Sequence, residues 1–180
     1  MRQTSFADMH CSLARALELV GDWWTPLILR DLFLGLDRFD DLATDLGISR
    51  NLLTTRLAEL VEHGIVERQR YSERPPRDRY LLTQAGRELA PIFAALTVWG
   101  DRWATPRGGP PVIFEHQLCG IPFTPTVACS ECGLPVSPDD LRILPGPGAR
   151  SAPGTLLYGK SARASGYRAA APICNAGSPR

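Results

Sequence analysis

The order of apolar and polar residues between Gly47 and Gly64 predicts a helix with one buried face. Ser49 is a residue type that caps helix N-termini, and Gly64 suits the left-handed position at which many helices end. At about 100° per residue, one stripe carries three leucines: Leu53, Leu57 and Leu60. The opposite side carries short hydrogen-bonding groups and one cation, at Arg50, Asn51, Thr54, Thr55 and Ala58. Such a helix, ~22 Å long, fits a DNA major groove, and we interpret it as a recognition helix.

Taken alone, this pattern is also typical of an ordinary surface helix, so the preceding segments matter. Apolar spacing predicts three shorter helices, at residues 11–20, 25–34 and 39–46. Four side chains of the first helix should face inward, toward the core: Leu13, Ala16, Leu17 and Val20. Thr25 is expected to cap the second helix, and Pro26 suits a first helical position. The third helix, a short turn containing Gly47 and the predicted recognition helix form a helix-turn-helix.

A β-hairpin is predicted directly after this motif. Residues 65–71 and 78–82 have the pattern of two strands, and residues 72–77 contain two prolines and should form a loop tip outside the strands. Beside a recognition helix, such a hairpin is a wing, and its arginines are Arg68, Arg70, Arg74, Arg77 and Arg79. We predict DNA contacts from Arg74, Arg77 and Arg79, and from Arg56 on the helix. The alternative is a solvated hairpin balanced by its acidic residues.

A long helix is predicted from Thr83, as its cap, to about residue 103. Apolar residues recur along it every three or four positions: Leu89, Ile92, Phe93, Leu96, Trp99 and Trp103. An aromatic-rich stripe favours the centre of a dimer interface, although it could instead complete the core.

Charge and composition narrow the function. Residues 1–48 hold 4 Arg and 8 acidic residues (net −4), whereas residues 49–80 hold 7 Arg and 5 acidic residues (net +2), so cations concentrate around the predicted DNA-binding face. The sequence has no apolar run long enough to span a membrane and no signal-peptide core, which predicts a cytoplasmic protein. No nucleophile–base pair, phosphate loop or paired catalytic carboxylates stand out, so an enzyme is not predicted.

Several segments in unbroken order over residues 9–104 resemble the HxlR-type winged helix-turn-helix transcriptional regulators of bacteria, of the MarR-like superfamily. They are CSLARAL from Cys11, GDWWT from Gly21, LILRDL from Leu27, ISRNLLTTRL from Ile48, YLLTQAG from Tyr80 and WGDRW from Trp99. The resemblance implies a homodimeric repressor or activator that dimerises through its first and last helices. Pro26 departs from the aliphatic residue usual in the family.

Redox sensors of the family that this sequence resembles use a single N-terminal cysteine, and Cys11 lies at the matching position. The resemblance therefore implies that an oxidant or a small molecule could act as the effector. A position at a helix start favours the reactive thiolate. The alternative is that Cys11 is a small buried hydrophobe, the commoner fate of a free cysteine.

Beyond the resemblance, two short motifs predict a metal site. His116 and Cys119 are separated by two residues and are followed by a glycine. Cys129 and Cys132 repeat that pattern, with nine residues between Cys119 and Cys129. One His and three Cys form a closed tetrahedral set for one structural zinc per chain. The alternative is a pair of unrelated reduced cysteine turns.

The predicted architecture is therefore mainly α with a β-hairpin wing. Residues 9–104 form the DNA-binding and dimerisation domain, and residues 105–144 form a linker and a zinc-ribbon-like extension. Residues 145–180 contain 11 Gly or Pro in 36 positions and are predicted to be mostly disordered. The predicted function is sequence-specific binding of double-stranded DNA as a homodimer. The alternative is a winged-helix protein–protein interaction module.

Overall fold

The computed structural model describes residues 5–105 and 107–155. It divides the chain into two compact units, residues 19–125 and a unit that combines residues 1–18 with residues 126–180. This division differs from the predicted boundaries, which placed residues 9–18 in the DNA-binding domain. The reason lies in the backbone, because the His10 N–H donates to the carbonyl oxygen of Pro153 at 2.8 Å.

Six α-helices and four strands follow one another in the described residues. The helices are α1 (Ser12–Val20), α2 (Thr25–Phe33), α3 (Phe39–Leu46), α4 (Arg50–Glu62), α5 (Gln84–Glu88) and α6 (Ala90–Trp103). The strands are β1 (Val66–Glu73), β2 (Pro76–Leu82), β3 (Phe114–His116) and β4 (Ile121–Phe123). Strands β1 and β2 pair antiparallel, as do β3 and β4.

The core of residues 19–125 is built from α2, α3, α4 and the start of β1. Its fully buried side chains include Ile28, Leu42, Leu53, Leu57, Leu60 and Val66. Burying each such side chain stabilises the fold by roughly 1.5–3 kcal/mol. The three leucines of α4 are the predicted stripe, so this part of the prediction is confirmed.

Helix α2 is capped by an acidic residue rather than by Thr25. The Asp22 Oδ1 accepts the backbone N–H of Trp24 at 2.8 Å and that of Thr25 at 3.1 Å. Thr25 itself is buried and is already the first residue of the helix. The predicted cap is therefore wrong, because the helix begins at the residue that was expected to cap it.

Helix α1 also differs from the prediction. Ala14 is its only buried residue, while Leu13 is 67% exposed and Leu17 is 40% exposed. The predicted inward side is therefore wrong for these leucines. Amphipathicity shows that a helix has an apolar side, but it does not show which surface covers that side.

The wing is longer than predicted. Val66 pairs with Leu82 at its base and Glu73 pairs with Pro76 at its end, so only Arg74 and Pro75 form the tip. The prediction that residues 72–77 lie outside the strands is wrong. In a two-stranded hairpin both strands are edges, and proline is tolerated at the first position of an edge strand.

The predicted long helix is broken at Leu89, which lies between the end of α5 and the start of α6. Pro91 lies in the first turn of α6. Its ring removes a backbone donor and would clash with the carbonyl four residues earlier in a continuous helix. Thr83 caps the start of α5, as predicted, because its side chain accepts the N–H of Gly86 at 3.3 Å.

Beyond α6, the remaining described segments form short hairpins and turns. Strands β3 and β4 form one hairpin, and an isolated bridge joins Ala128 to Pro135. No helix within residues 5–105 and 107–155 is both long and apolar enough to cross a membrane.

Candidate nucleic-acid interface

The exposed face of α4 presents short polar side chains. Ser49 caps the helix, as predicted, by accepting the N–H of Leu52 on its hydroxyl at 3.4 Å. Asn51, Thr54 and Thr55 are exposed along the next turns. Gly47, with a φ of 60°, makes the left-handed turn that separates this helix from α3. The sequence therefore forms the predicted helix-turn-helix, and its second helix has a free polar face.

Arg50 lies at the start of α4 and turns toward α3. Its Nη1 is 2.7 Å from Oδ1 of Asp40, and its guanidinium lies over the ring of Phe39, 4.7 Å from the centroid. Both side chains of the ion pair are exposed, so solvent screens the pair and it stabilises the fold only weakly. These contacts place the guanidinium beside α3 in the structure.

The wing carries its cations in two groups. Arg74 at the tip and Arg77 near the start of β2 are exposed, and both are available for contacts with a phosphate backbone. Closer to the base, Arg68 and Arg70 bind Asp78 across the hairpin. The hydrogen bond from Arg68 lowers the pKa of Asp78, so this carboxylate stays ionised. Arg79 is half-buried, and its Nε donates to Oε1 of Gln69 at 2.8 Å.

Three contacts missed by the sequence analysis connect the wing to the helix-turn-helix. The N–H of Tyr80 donates to the carbonyl oxygen of Asp37 at 2.7 Å. The guanidinium of Arg38 lies over the ring of Tyr71, 5.3 Å from its centroid. Arg38 also forms an isolated backbone bridge with Arg79. Nothing local in the sequence indicates these contacts, because Arg38 and its partners lie on different elements.

Arg56 lies away from the polar face of α4. Its side chain is only 24% exposed and pairs with Glu59 at 2.7 Å and with Asp22 at 3.4 Å. The structure therefore places this predicted DNA contact next to the start of α2. Its position supports the fold there, because Asp22 also caps that helix.

The predicted dimer stripe is divided by the structure. Leu89 and Phe93 pack against the core. The other four side chains are between 55% and 70% exposed and recur on one side of α6: Ile92, Leu96, Trp99 and Trp103. An exposed apolar patch with two tryptophans is unusual for a monomer and is typical of an interaction site.

The predicted zinc ligands occur in two turns of the same kind. In one, the Gly120 N–H donates to the carbonyl oxygen of His116 at 2.8 Å, and Nδ1 of that histidine is 3.4 Å from Sγ of Cys119. In the other, the Gly133 N–H donates to the carbonyl oxygen of Cys129 at 2.8 Å. Gly120 and Gly133 are both left-handed, with φ of 64° and 72°.

The second turn also affects the chemistry of its first cysteine. Backbone N–H groups of Cys132 and Glu131 donate to the sulfur of Cys129 and lower the pKa of that thiol. Among the described side chains, no three of His, Cys, Asp or Glu are grouped so as to hold a metal ion. The four residues are thus present as two ligand pairs, and the zinc stays a prediction.

Cys11 directly precedes α1 and is half-buried. Part of the C-terminal segment packs against it, since a Cβ atom at Gly154 would lie 3.0 Å from the Cβ of Cys11. Nε2 of His10 is 2.7 Å from the carbonyl oxygen of Gly148. Gly148 and Pro153 in this segment thus contact His10, and the disorder of residues 145–180 stays a prediction. Residues 156–180 of that predicted tail lie outside the described residues.

A helix-turn-helix with a hairpin wing beside its second helix defines a winged helix-turn-helix protein. Residues 19–107 match a family model described as HxlR-like helix-turn-helix. The uncharacterized HTH-type transcriptional regulator Rv3095 of Mycobacterium tuberculosis is 44% identical over 140 residues, which cover 78% of this chain and 89% of that protein. The chain therefore belongs to the HxlR-like helix-turn-helix family of transcriptional regulators.

Two solved structures are similar over the same share of the chain. PA1607, described as a candidate transcription factor, is 34% identical with a TM-score of 0.68, over 78% of this chain and 98% of that one. PA1374 of Pseudomonas aeruginosa, described in the same terms, is 38% identical with a TM-score of 0.55, over 78% and 95% of the two chains. The similarity thus extends beyond the residues matched by the family model.

Proposed function

We propose that the protein is a sequence-specific, homodimeric DNA-binding regulator whose α4 enters the major groove. The observation that carries this proposal is the exposed polar face of α4, with the arginines of the wing tip beside the same motif. Asn51, Thr54 and Thr55 would approach base edges, and Ser49 and Arg50 would contact adjacent phosphates. Wing arginines at positions 74, 77 and 79 would hold the flanking backbone, whereas Arg56 is left out because of its pairing with Asp22.

Salt dependence tests the role of the wing. We expect the logarithm of the binding constant for duplex DNA to fall steeply with the logarithm of salt concentration, because bound arginines release counterions. Arg77→Ala should reduce that slope by about 1 and weaken binding uniformly across sequences. Arg142→Ala in the extension is the matched control and should leave the slope unchanged. An unaltered slope for Arg77→Ala would remove this side chain from the phosphate contacts.

A protein–protein interaction module is the alternative that the same fold allows. The regulator and the interaction module differ in one measurement. An interaction module would not retain DNA fragments from the genome of the source organism at moderate salt. Selection of bound genomic fragments followed by sequencing separates the two functions. Recovery of one recurring sequence supports the regulator, and recovery of random fragments or none supports the module.

We further propose that the extension holds one structural zinc ion per chain, with His116, Cys119, Cys129 and Cys132 as ligands. What supports this is the shared form of the two turns, each with paired ligands and a left-handed glycine. Such a turn directs both side chains to one point, and zinc prefers thiolate and imidazole ligands in a closed tetrahedral set. No coordination position is left open, so the role would be structural.

Elemental analysis tests the zinc directly. Protein purified without a metal-binding tag should contain about one zinc per chain, and Cys132→Ser should lose most of it. Cys174→Ser is the matched control, because that thiol lies outside both motifs, and it should keep the metal. If the reduced, folded protein contains no zinc, the two motifs are unrelated cysteine turns and the zinc proposal is wrong.

Regulation by an oxidant through Cys11 is the last part of the proposal. It is supported by a free thiol directly before α1, a helix whose leucines are exposed and available to a dimer partner. Modification of that thiol would disturb its contact with Gly154 and so alter how the proposed dimer presents α4. A small-molecule effector is the other form that such regulation could take.

A titration with hypochlorite or a quinone tests Cys11. Wild-type protein should lose DNA binding at an oxidant dose that leaves Cys11→Ser bound. Zinc release is followed in parallel, because the other cysteines also react with these reagents. If both proteins release DNA at the same dose, Cys11 is not the sensor.

A further inference from the structure

We propose that α4 selects A·T base pairs in the major groove, and that Thr54 and Thr55 make this selection through their methyl groups and hydroxyl lone pairs. The inference rests on the proposed DNA-binding function and specifies which base pairs that function recognises. It follows from where each of the two threonine hydroxyls donates its one hydrogen.

Both threonine hydroxyls donate inside the helix. Oγ1 of Thr54 is 2.8 Å from the carbonyl oxygen of Arg50, and Oγ1 of Thr55 is 3.1 Å from that of Asn51. A hydroxyl has one hydrogen to donate and two lone pairs that accept. Because the hydrogen is used within the helix, each side chain has only an acceptor and a methyl group left for DNA. Both side chains are exposed, so these groups are accessible.

Base pairs differ in whether they offer partners for both groups. In the major groove the donors are the amino groups of adenine and cytosine, and thymine alone carries a methyl group. An A·T pair therefore presents a donor and a methyl group together. A G·C pair presents a donor but no methyl group. A threonine with a free acceptor and a free methyl group thus fits an A·T pair better than a G·C pair.

The neighbouring side chains favour the same base pair. Asn51 is exposed, and within the described part of the chain its side-chain amide has no hydrogen-bond partner. An asparagine amide pairs bidentately with adenine. Arginine, by contrast, most often reads guanine, but the Arg50 guanidinium lies beside α3, next to Asp40 and over the ring of Phe39. We therefore assign Arg50 to a phosphate, and the polar face retains no cation that reads guanine.

Selection from a randomised duplex library by the full-length protein tests the preference. Wild type is compared with Thr54→Val and Thr55→Val, which keep the shape and a methyl group but remove the hydroxyl. We expect A·T at the base pairs where selection by the valine variants differs from wild type. G·C at those pairs would overturn the inference while leaving sequence-specific binding intact. Failure to enrich any duplex would overturn the proposed function itself.

Changes that remove one functional group from a base of the selected duplex give a sharper test. Uracil in place of thymine removes the methyl group, and purine in place of adenine removes the amino donor. Each change should weaken wild-type binding about three- to tenfold. Thr54→Ser, which lacks the methyl group, should bind thymine and uracil duplexes equally. Thr54→Val, which lacks the acceptor, should bind adenine and purine duplexes equally when the change is made only at the base pair that Thr54 reads.

The same pair of substitutions at Thr55 provides an independent repeat. Thermal melting of each variant, followed by circular dichroism, confirms that these exposed changes leave the fold intact. If the serine variants lose as much affinity on uracil as wild type does, or the valine variants lose as much on purine, the threonines do not make the selection and the inference is wrong.

Discussion

In the proposed homodimer, replacing Leu96 and Trp99 with glutamate should separate the two chains and give a folded monomer. Both side chains are more than half exposed in a single chain, so a charge there has access to water in the monomer. In a dimer that covers the stripe, the same charges would be buried without partners, which costs several kcal/mol. Light scattering should report half the wild-type mass, with helical content unchanged by circular dichroism.

Two control variants make this result specific. Leu34→Glu changes another exposed leucine, 71% exposed at the end of α2, and should keep the dimer mass. Phe93→Glu places a charge where α6 packs against the core and should unfold the protein instead. A double variant that keeps the wild-type mass would exclude the α6 stripe from the interface.

Local signals predicted the parts of the fold whose causes lie within a few residues. The cap at Ser49, the three buried leucines of α4 and the left-handed Gly64 were all correct, because each depends on neighbours within one helix. The polar face followed from the same periodicity. These features position the candidate DNA-binding face, so where that face lies on the fold could be predicted from sequence.

Features that depend on distant partners could not be predicted in this way. Arg56 was grouped with the DNA contacts, yet it pairs with Asp22, which lies 34 positions earlier in the chain. The wing strands extend further than their prolines suggested, because an edge strand does not need every backbone donor. Likewise, Gly148 and Pro153 form hydrogen bonds with His10 that no local pattern indicates.

Gly86→Ala should be among the most destabilising single substitutions in the protein. Gly86 is buried in α5, and a Cβ there would lie 2.4 Å from the backbone oxygen of Ile65 and 3.0 Å from Cδ2 of Leu82. Real Cβ atoms do not approach a backbone oxygen so closely, so α5 or the segment before β1 must move.

That movement would also break existing bonds, because the Ile65 oxygen accepts the N–H of Thr83 at 3.1 Å and its hydroxyl at 3.0 Å. Overpacking together with loss of these hydrogen bonds should cost about 3 kcal/mol. We therefore expect the melting temperature to fall by about 10 °C or more. Gly146→Ala is the matched control, since a Cβ there meets no atom within 4 Å, and it should melt like wild type. A Gly86→Ala protein that melts with the control would show that α5 can shift without cost, and that its contact with Ile65 does not hold the wing in place.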